Sequence, residues 1–464
     1  MISLQNLLRP SNGNKLFALF ILVSVYSSCV VMRSNDVSGS KIYIPANDGE
    51  VKVIRPDTVR PDTIKWETEE KNEEVIVIEE EKSSEPEKLT KKASYKVDIL
   101  IPMDSYSVIG SLEDIEQGPA NSMLHYYGGM IMALVELKAK GANLDVNVYD
   151  APPDQDRTND YLETARKNKP DMIIGPNEKE QLKKINAFCS TNQIPLIAPW
   201  KAISNVSNAN SNYIQLKPSL ETYYEKMCQD IDDRYKADEV YLVGQDDGAS
   251  RSRLRNINTI HKKTAVNSGD YSSVVVSQVK LESDLPLFKQ IFSGAGQRKV
   301  IILPNWSFKD EDFLFACLRK INLEKSSYQV EVYGMPIMLN SEKLSYDLFR
   351  SLNIRIVSPN YLDETDVMVK QFRKDFYDQF NVFPEPEAYE GFDMMSFVGS
   401  NLIEYGKYFA SNIENLDFDL QTTAYKLIKK MPGSDVAPPD EFEYFENKKL
   451  FIIGFENNKF VKLR

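Results

Sequence analysis

The run Val97-Asp98-Ile99-Leu100-Ile101-Pro102 and the segment that follows it decide the fold. The run is short, apolar and closed by a proline. From Asn121 to Lys140, the residues Leu124, Tyr127, Ile131, Leu134 and Val135 recur at helical spacing until Gly141 stops the pattern. A strand therefore feeds a helix, and the unit repeats. Leu144, Val146 and Val148 alternate into Asp150, a helix passes through Tyr161 and Leu162, and Met172-Ile173-Ile174-Gly175-Pro176 follows. The helix Lys179 to Cys189 then leads to the strand Ile194 to Ala198. Continuous apolar strands separated by helices predict a parallel sheet, because helices on both faces leave no side of the strand for water.

A second series opens after Tyr213-Ile214-Gln215-Leu216. The helix Leu220 to Ile231 leads to Val240-Tyr241-Leu242-Val243-Gly244, and strands follow at Val274 to Val279, Val300 to Leu303 and Val330 to Tyr333. Long helices are expected over Thr365 to Phe380 and Glu387 to Tyr408, and final strands near Leu450 to Ile453 and Phe460 to Leu463. The chain is thus expected to be α/β, with two Rossmann-like lobes that each carry a parallel sheet, and later segments added to both.

At 464 residues the chain exceeds one compact unit. A formal charge of −12 and a pI near 5.0 argue against a nucleic-acid partner, which needs clustered Lys and Arg to meet phosphates. The first 28 residues read as an export signal: Arg9 and Lys15 give a positive start, and Leu16 to Tyr26 is an apolar run. That run is about half of the ~20 residues a membrane-spanning helix needs. Tyr26-Ser27-Ser28-Cys29 resembles the bacterial lipobox, which implies acylation of Cys29 and a lipid-anchored protein; an ordinary cleaved signal is the alternative. Cys189, Cys228 and Cys317 remain, each in an amphipathic segment, and are expected as buried thiols or as one disulfide plus a free thiol.

Residues 29–94 lack sustained periodicity. They contain the direct repeat Arg55-Pro-Asp-Thr-Val and Arg60-Pro-Asp-Thr-Ile, then an acidic run from Glu67 to Glu87 with ten Glu against two Lys. Such a segment repels itself, and a disordered acidic tether is expected. Within it, Val75 to Ile78 could add an edge strand or dock as a peptide, or stay solvated with its flanks.

Several pieces together resemble the type I periplasmic-binding proteins, which include leucine-binding-protein-like receptors. They are Ile99-Leu100-Ile101-Pro102, Tyr127-Gly128-Gly129-Met130-Ile131-Met132-Ala133-Leu134, Val148-Tyr149-Asp150, Ile173-Ile174-Gly175-Pro176, Ile194-Pro195-Leu196-Ile197-Ala198-Pro199 and Ala388-Tyr389-Glu390-Gly391-Phe392-Asp393. The likeness runs from about Tyr95 to the C-terminus. It implies two lobes joined by three hinge crossings, near Leu216 to Ser219, Val357 to Tyr361 and Asp417 to Thr422. One lobe would comprise residues 95–217 and 360–419, the other 218–359 and 420–464.

Ligands of open parallel sheets lie beyond the carboxyl ends of the strands. The candidate ligand-binding residues are accordingly Asp104, Ser105, Tyr106, Asn177, Trp200 and Lys201 in the first half, and Gln245, Asp246, Asn305 and Trp306 in the second. Amino-acid-binding members of the resembled family present small hydroxyl residues after the fourth strand, whereas this chain has Pro199-Trp200-Lys201-Ala202. Trp200 and Trp306 each follow a proline at what reads as a corresponding position. They are expected to sandwich a sugar ring or an apolar peptide side chain, with Lys201 for an anion, or else one or both plug the cleft or pack on a neighbouring loop.

Two histidines, His125 and His261, leave little for acid–base or metal chemistry, and no nucleophile, zinc or phosphate-loop motif occurs. Neither a cofactor nor a metal is expected. The sequence therefore predicts a non-catalytic envelope lipoprotein, anchored on the periplasmic face of a bacterial outer membrane, that clamps a small molecule or a peptidoglycan or peptide fragment. The alternative is an envelope scaffold or regulator that uses the same fold to contact a protein partner, for example one that makes peptidoglycan.

Overall fold

The alternation of strands and helices resolves into two sheets. The computed structural model describes residues 62–64, 91–103, 119–203, 206, 210–265, 269–293, 296–431 and 442–463. The expected signal, Cys29, the acidic run and the candidates Asp104, Ser105 and Tyr106 lie outside the described residues.

The first sheet contains eight strands. In spatial order they are β1 (Asp62–Ile64), β3 (Leu144–Asp150), β2 (Tyr95–Ile101), β4 (Met172–Ile174), β5 (Leu196–Ala198), β6 (Tyr213–Gln215), β15 (Tyr444–Asn447) and β14 (Leu427–Lys430). Strands β2 to β6 and β15 run parallel, and β1 and β14 pair antiparallel at the two edges. The second sheet has the order β17 (Lys459–Lys462), β16 (Phe451–Glu456), β11 (Ile354–Ser358), β10 (Gln329–Gly334), β9 (Arg298–Ile302), β7 (Val240–Gln245) and β8 (Ser272–Val276). Its five central and edge strands β7 to β11 are parallel, and the β16–β17 hairpin closes one side.

Helices cover the faces, as the unbroken apolar strands require. In β4, Met172, Ile173 and Ile174 are all fully buried; Met172 and Ile174 enter one hydrophobic cluster, and Ile173 enters another on the opposite face. The first lobe carries α1 (Pro119–Ala139), α2 (Gln155–Asn168) and α3 (Lys179–Asn192). The second carries α4 (Leu220–Asp232), α5 (Gly248–Thr264), the short α6 (Gln278–Leu281), α7 (Glu311–Glu324) and α8 (Tyr346–Ser351). Then α9 (Val367–Phe380), α10 (Pro386–Tyr405) and the short α11 (Phe409–Asn412) return to the first lobe. Glycine lets α1 and α10 touch backbone to backbone: a Cβ on Gly129 would stand 1.8 Å from the Ala388 carbonyl oxygen, and one on Gly391 2.0 Å from that of Tyr126. No helix among the described residues is long and apolar enough to cross a membrane.

Three expectations are corrected. Asp62-Thr63-Ile64, placed in the tether, pairs with Val148, Asn147 and Val146 of β3. An edge strand offers free backbone groups, Thr and Ile favour extended structure, and the acidic run begins only at Glu67. Residues 420–464, assigned to the second lobe, are instead divided, since β14 and β15 complete the first sheet and only β16 and β17 join the second. The third crossing therefore lies at Lys448–Leu450, between β15 and β16, and not at Asp417–Thr422. The segment around Asp417–Thr422 forms the small hairpin of β12 (Phe418–Asp419) and β13 (Ala424–Tyr425), which leans on the second crossing through a bridge between Asn360 and Thr423.

The crossings Leu216–Ser219, Pro359–Tyr361 and Lys448–Leu450 are tied together by buried polar groups. Asn447 donates from Nδ2 to the carbonyls of Leu216 and Ala424, each at 3.1 Å, and accepts at Oδ1 from the amides of Lys426 and Lys449. Asp393, 1% exposed, accepts from the amides of Gln421, Thr422 and Thr423 and from both threonine hydroxyls. Burial raises the Asp393 carboxyl above its ordinary range, against the pull of those donors. Glu446, also fully buried, accepts from the Ser219 amide at 2.8 Å and the Thr222 hydroxyl at 2.9 Å.

Asn447→Ala strips two acceptors and two donors from the hinge and is expected to cost about 2–4 kcal/mol in urea unfolding. Asn447→Asp, which cannot donate to the two carbonyls, should cost at least as much; a silent Asn447→Asp would contradict the assignment. In β2, burial pushes the Asp98 carboxyl up to about 6, despite hydrogen bonds from Asn147 Nδ2 and the Tyr161 hydroxyl. The folded form thus holds a proton that the unfolded chain has lost, so Asp98 stabilises the fold below about pH 4 and that contribution fades as pH rises through about 6. Asp98→Asn should flatten this fall, on the order of 2–3 kcal/mol, in melting curves recorded from pH 4 to 7.

Candidate functional site

The first and second crossings leave from the carboxyl ends of β6 and β11, so the carboxyl edges of both sheets face the hinge. Pro199 after β5, Leu216 and Lys217 after β6, and Pro359 and Asn360 after β11 line one recess there.

The two sheets share one internal order: β3-β2-β4-β5-β6 matches β8-β7-β9-β10-β11. The match sets Ile174-Gly175-Pro176-Asn177 after β4 opposite Ile302-Leu303-Pro304-Asn305 after β9. Asn177 and Asn305 are therefore topological equivalents, and each has a buried side-chain carbonyl oxygen with no hydrogen-bond partner. Asn305 is 1% exposed and uses its Nδ2 on Asp310 at 3.1 Å, while the adjoining Pro304 carbonyl accepts from the Tyr224 hydroxyl. Two matched acceptors without donors, one per lobe, are costly unless something supplies the donors.

The tryptophans are not equivalents, contrary to the sequence reading, because Trp200 follows β5 and Trp306 follows β9. Their shared Pro context hid a difference of one strand. Trp200 packs into the first lobe, edge-on to Tyr126 at 5.5 Å and against Gly175, where the φ of +83° and a Cβ clash at 2.6 Å from the indole both demand glycine. Its indole N–H is buried without a partner. Trp306 is 55% exposed, with Phe308 beside it at 66%.

The remaining polar candidates are quieter. Lys201 is exposed, Gln245 is half-buried at the end of β7, and Asp246 pairs with Arg251 at the surface. Asp247 caps α5, and the hydrogen bond from the Ser250 amide holds its carboxyl below the usual range.

Sequence reasoning passed over several residues at the hinge floor. Glu390 accepts from Asn360 and lies 3.2 Å from Lys217, and these groups share with Tyr126, Tyr425 and Asn447 a recess of about 20 Å³, room for a water molecule. Gln215, at the end of β6, buries an Nε2 without a partner, and Gln421 likewise an Oε1. Glu390 stood inside the quoted Ala388–Asp393 stretch, but nothing in the sequence showed which crossing it would meet. With Lys217 and Glu390 neutralising one another, the floor presents amide and phenol groups and no unpaired charge among these residues, which suits neutral polar partners.

No protein-family model matches the chain, and no curated protein matches it. Solved structures do. An ABC transporter substrate-binding protein from Desulfitobacterium hafniense superposes with a TM-score of 0.53 at 9% identity, covering 80% of this chain and 100% of that one. The C-domain of LpoA from Haemophilus influenzae, a regulator of PBP1A, gives 0.51 at 12%, covering 80% and 100%. A branched-chain amino acid ABC transporter periplasmic ligand-binding protein from Burkholderia xenovorans gives 0.50 at 12%, covering 80% and 94%. At such identities the likeness speaks for architecture alone: the chain has the two-lobed type I periplasmic-binding-protein fold.

Proposed function

We propose that this is a non-catalytic binding protein of the bacterial cell envelope, held to a membrane by a lipid on Cys29, that closes its lobes on a neutral ligand rich in amide or hydroxyl donors. A peptide or glycan fragment of the cell wall has that chemistry. The observation that carries the reading is the pair of unpartnered carbonyl oxygens on Asn177 and Asn305, which follow topologically equivalent strands, β4 and β9, of the two lobes. Trp200 adds an indole N–H, and Trp306 an open aromatic face on which a sugar or apolar side chain can stack. An amino-acid zwitterion fits less well, because no unpaired cation lies among the described cleft residues to meet a carboxylate except the exposed Lys201.

A second reading rests on the exposed pair Trp306 and Phe308 after β9, which offers an apolar patch for another protein. LpoA, whose C-domain superposes on this chain, is a regulator of PBP1A.

Thermal melting against muropeptides, short peptides and free amino acids separates the possibilities. A rise in Tm with the first two and none with the third is expected. Asn177→Ala and Asn305→Ala should each weaken binding about 3–10-fold, the worth of one neutral hydrogen bond. Asn177→Ala should leave the free protein as stable as before, since the lost oxygen had no partner. No shift with any ligand, with cross-linking in cells that recovers an envelope protein through Trp306, would favour the second reading.

A further inference from the structure

The two sheets end differently at their equivalent outer edges. In the first lobe β3 is covered by β1, whereas in the second lobe no described strand pairs with the outer side of β8. A recess of about 440 Å³ lies beside β8, lined by Val274, Val275 and Val276 together with Lys280, Leu287 and Lys289. Consecutive strand residues point to opposite faces, so a recess that touches all three valines runs along the backbone edge. Val276 turns its carbonyl to β7, where it accepts from Asp246 at 3.0 Å. By alternation, Ser273 and Val275 aim their N–H and C=O outward into the recess.

We propose that this edge receives the chain's own segment Glu73–Glu81 as an added strand. The segment reads Glu-Glu-Val-Ile-Val-Ile-Glu-Glu-Glu, a β-branched run between carboxylates, and it is the one apolar run inside the acidic stretch. Its chemistry is the complement of the recess: valines and Leu287 for Val75 to Ile78, and the cations Lys280 and Lys289 for the flanking glutamates. Neither lysine has an ion pair with a described residue. Residues 65–74 and 79–90, which flank the run, extend to roughly 35 and 40 Å at about 3.3–3.6 Å per residue. Each lobe would then have its sheet edge capped by a different piece of the tether, which shortens the free tether and removes an exposed strand edge.

Hydrogen–deuterium exchange on the full chain tests this. The amides of Ser273 and Val275 should exchange at least ten-fold more slowly in the native chain than in one with Val75, Ile76, Val77 and Ile78 all replaced by Ser. A synthetic Glu73–Glu81 peptide added to that variant should restore the protection, and Lys280→Glu with Lys289→Glu in the native chain should reduce it. Exchange in β10 serves as the folded reference and should not change. Equal exchange of Ser273 and Val275 in native and Ser-substituted chains would overturn the proposal, and so would protection that grows with protein concentration, which would mean that a second copy supplies the strand.

Discussion

Everything in this molecule depends on three chain crossings that are held by side chains and not by a sheet. Asn447 reaches the backbone on either side of two crossings, and Asp393 gathers five donors from the turn that leans on the second. Because these are hydrogen bonds between short segments, with no strand shared by the two sheets, bending at the crossings need not break a ladder. The same buried groups make the hinge specific: a carboxylate or amide with every donor placed tolerates few alternative arrangements.

The hinge sets the chemistry of the cleft. The crossings leave from the carboxyl ends of β6 and β11, and the loops after β4 and β9 are topological counterparts in the two lobes. Equivalence of the two lobes then yields a pair of asparagines, a feature that no single loop reveals. Charges cancel in pairs elsewhere in the two lobes, Lys217 with Glu390 and Arg251 with Asp246, which leaves amides, an indole and open aromatic rings as the groups available for recognition.

Much of the architecture was legible because buried parallel strands must be apolar throughout: the runs at Ile99, Ile173 and Ile301 and the helix that stops at Gly141 are found where periodicity placed them. The errors share a cause. Short strands such as Asp62–Ile64 and Leu427–Lys430 owe their structure to a neighbour's free edge and carry little pattern of their own. The sharing of the C-terminus between lobes, and with it the third crossing, is a matter of pairing partners that sequence spacing does not encode. In the site, Asn177 and Asn305 were named individually, but their correspondence needed strand order, and the shared proline before each tryptophan suggested a false one. Glu390, Gln215 and Asn447 act through distant backbone and gave no local signal.

The most direct test of the account is the distance between the lobes. Spin labels on Lys167→Cys and Lys263→Cys sit on exposed helix ends of the first and second lobe, and the native thiols Cys189, Cys228 and Cys317 are buried, with burial raising their pKa values, so they should not compete for label. Pulsed electron resonance should show a broad distance distribution in the free protein that narrows and shifts once a saturating wall-derived glycopeptide is added. A single narrow distance, unmoved by a ligand shown to bind, would mean that the lobes are locked and that the crossings are not a hinge.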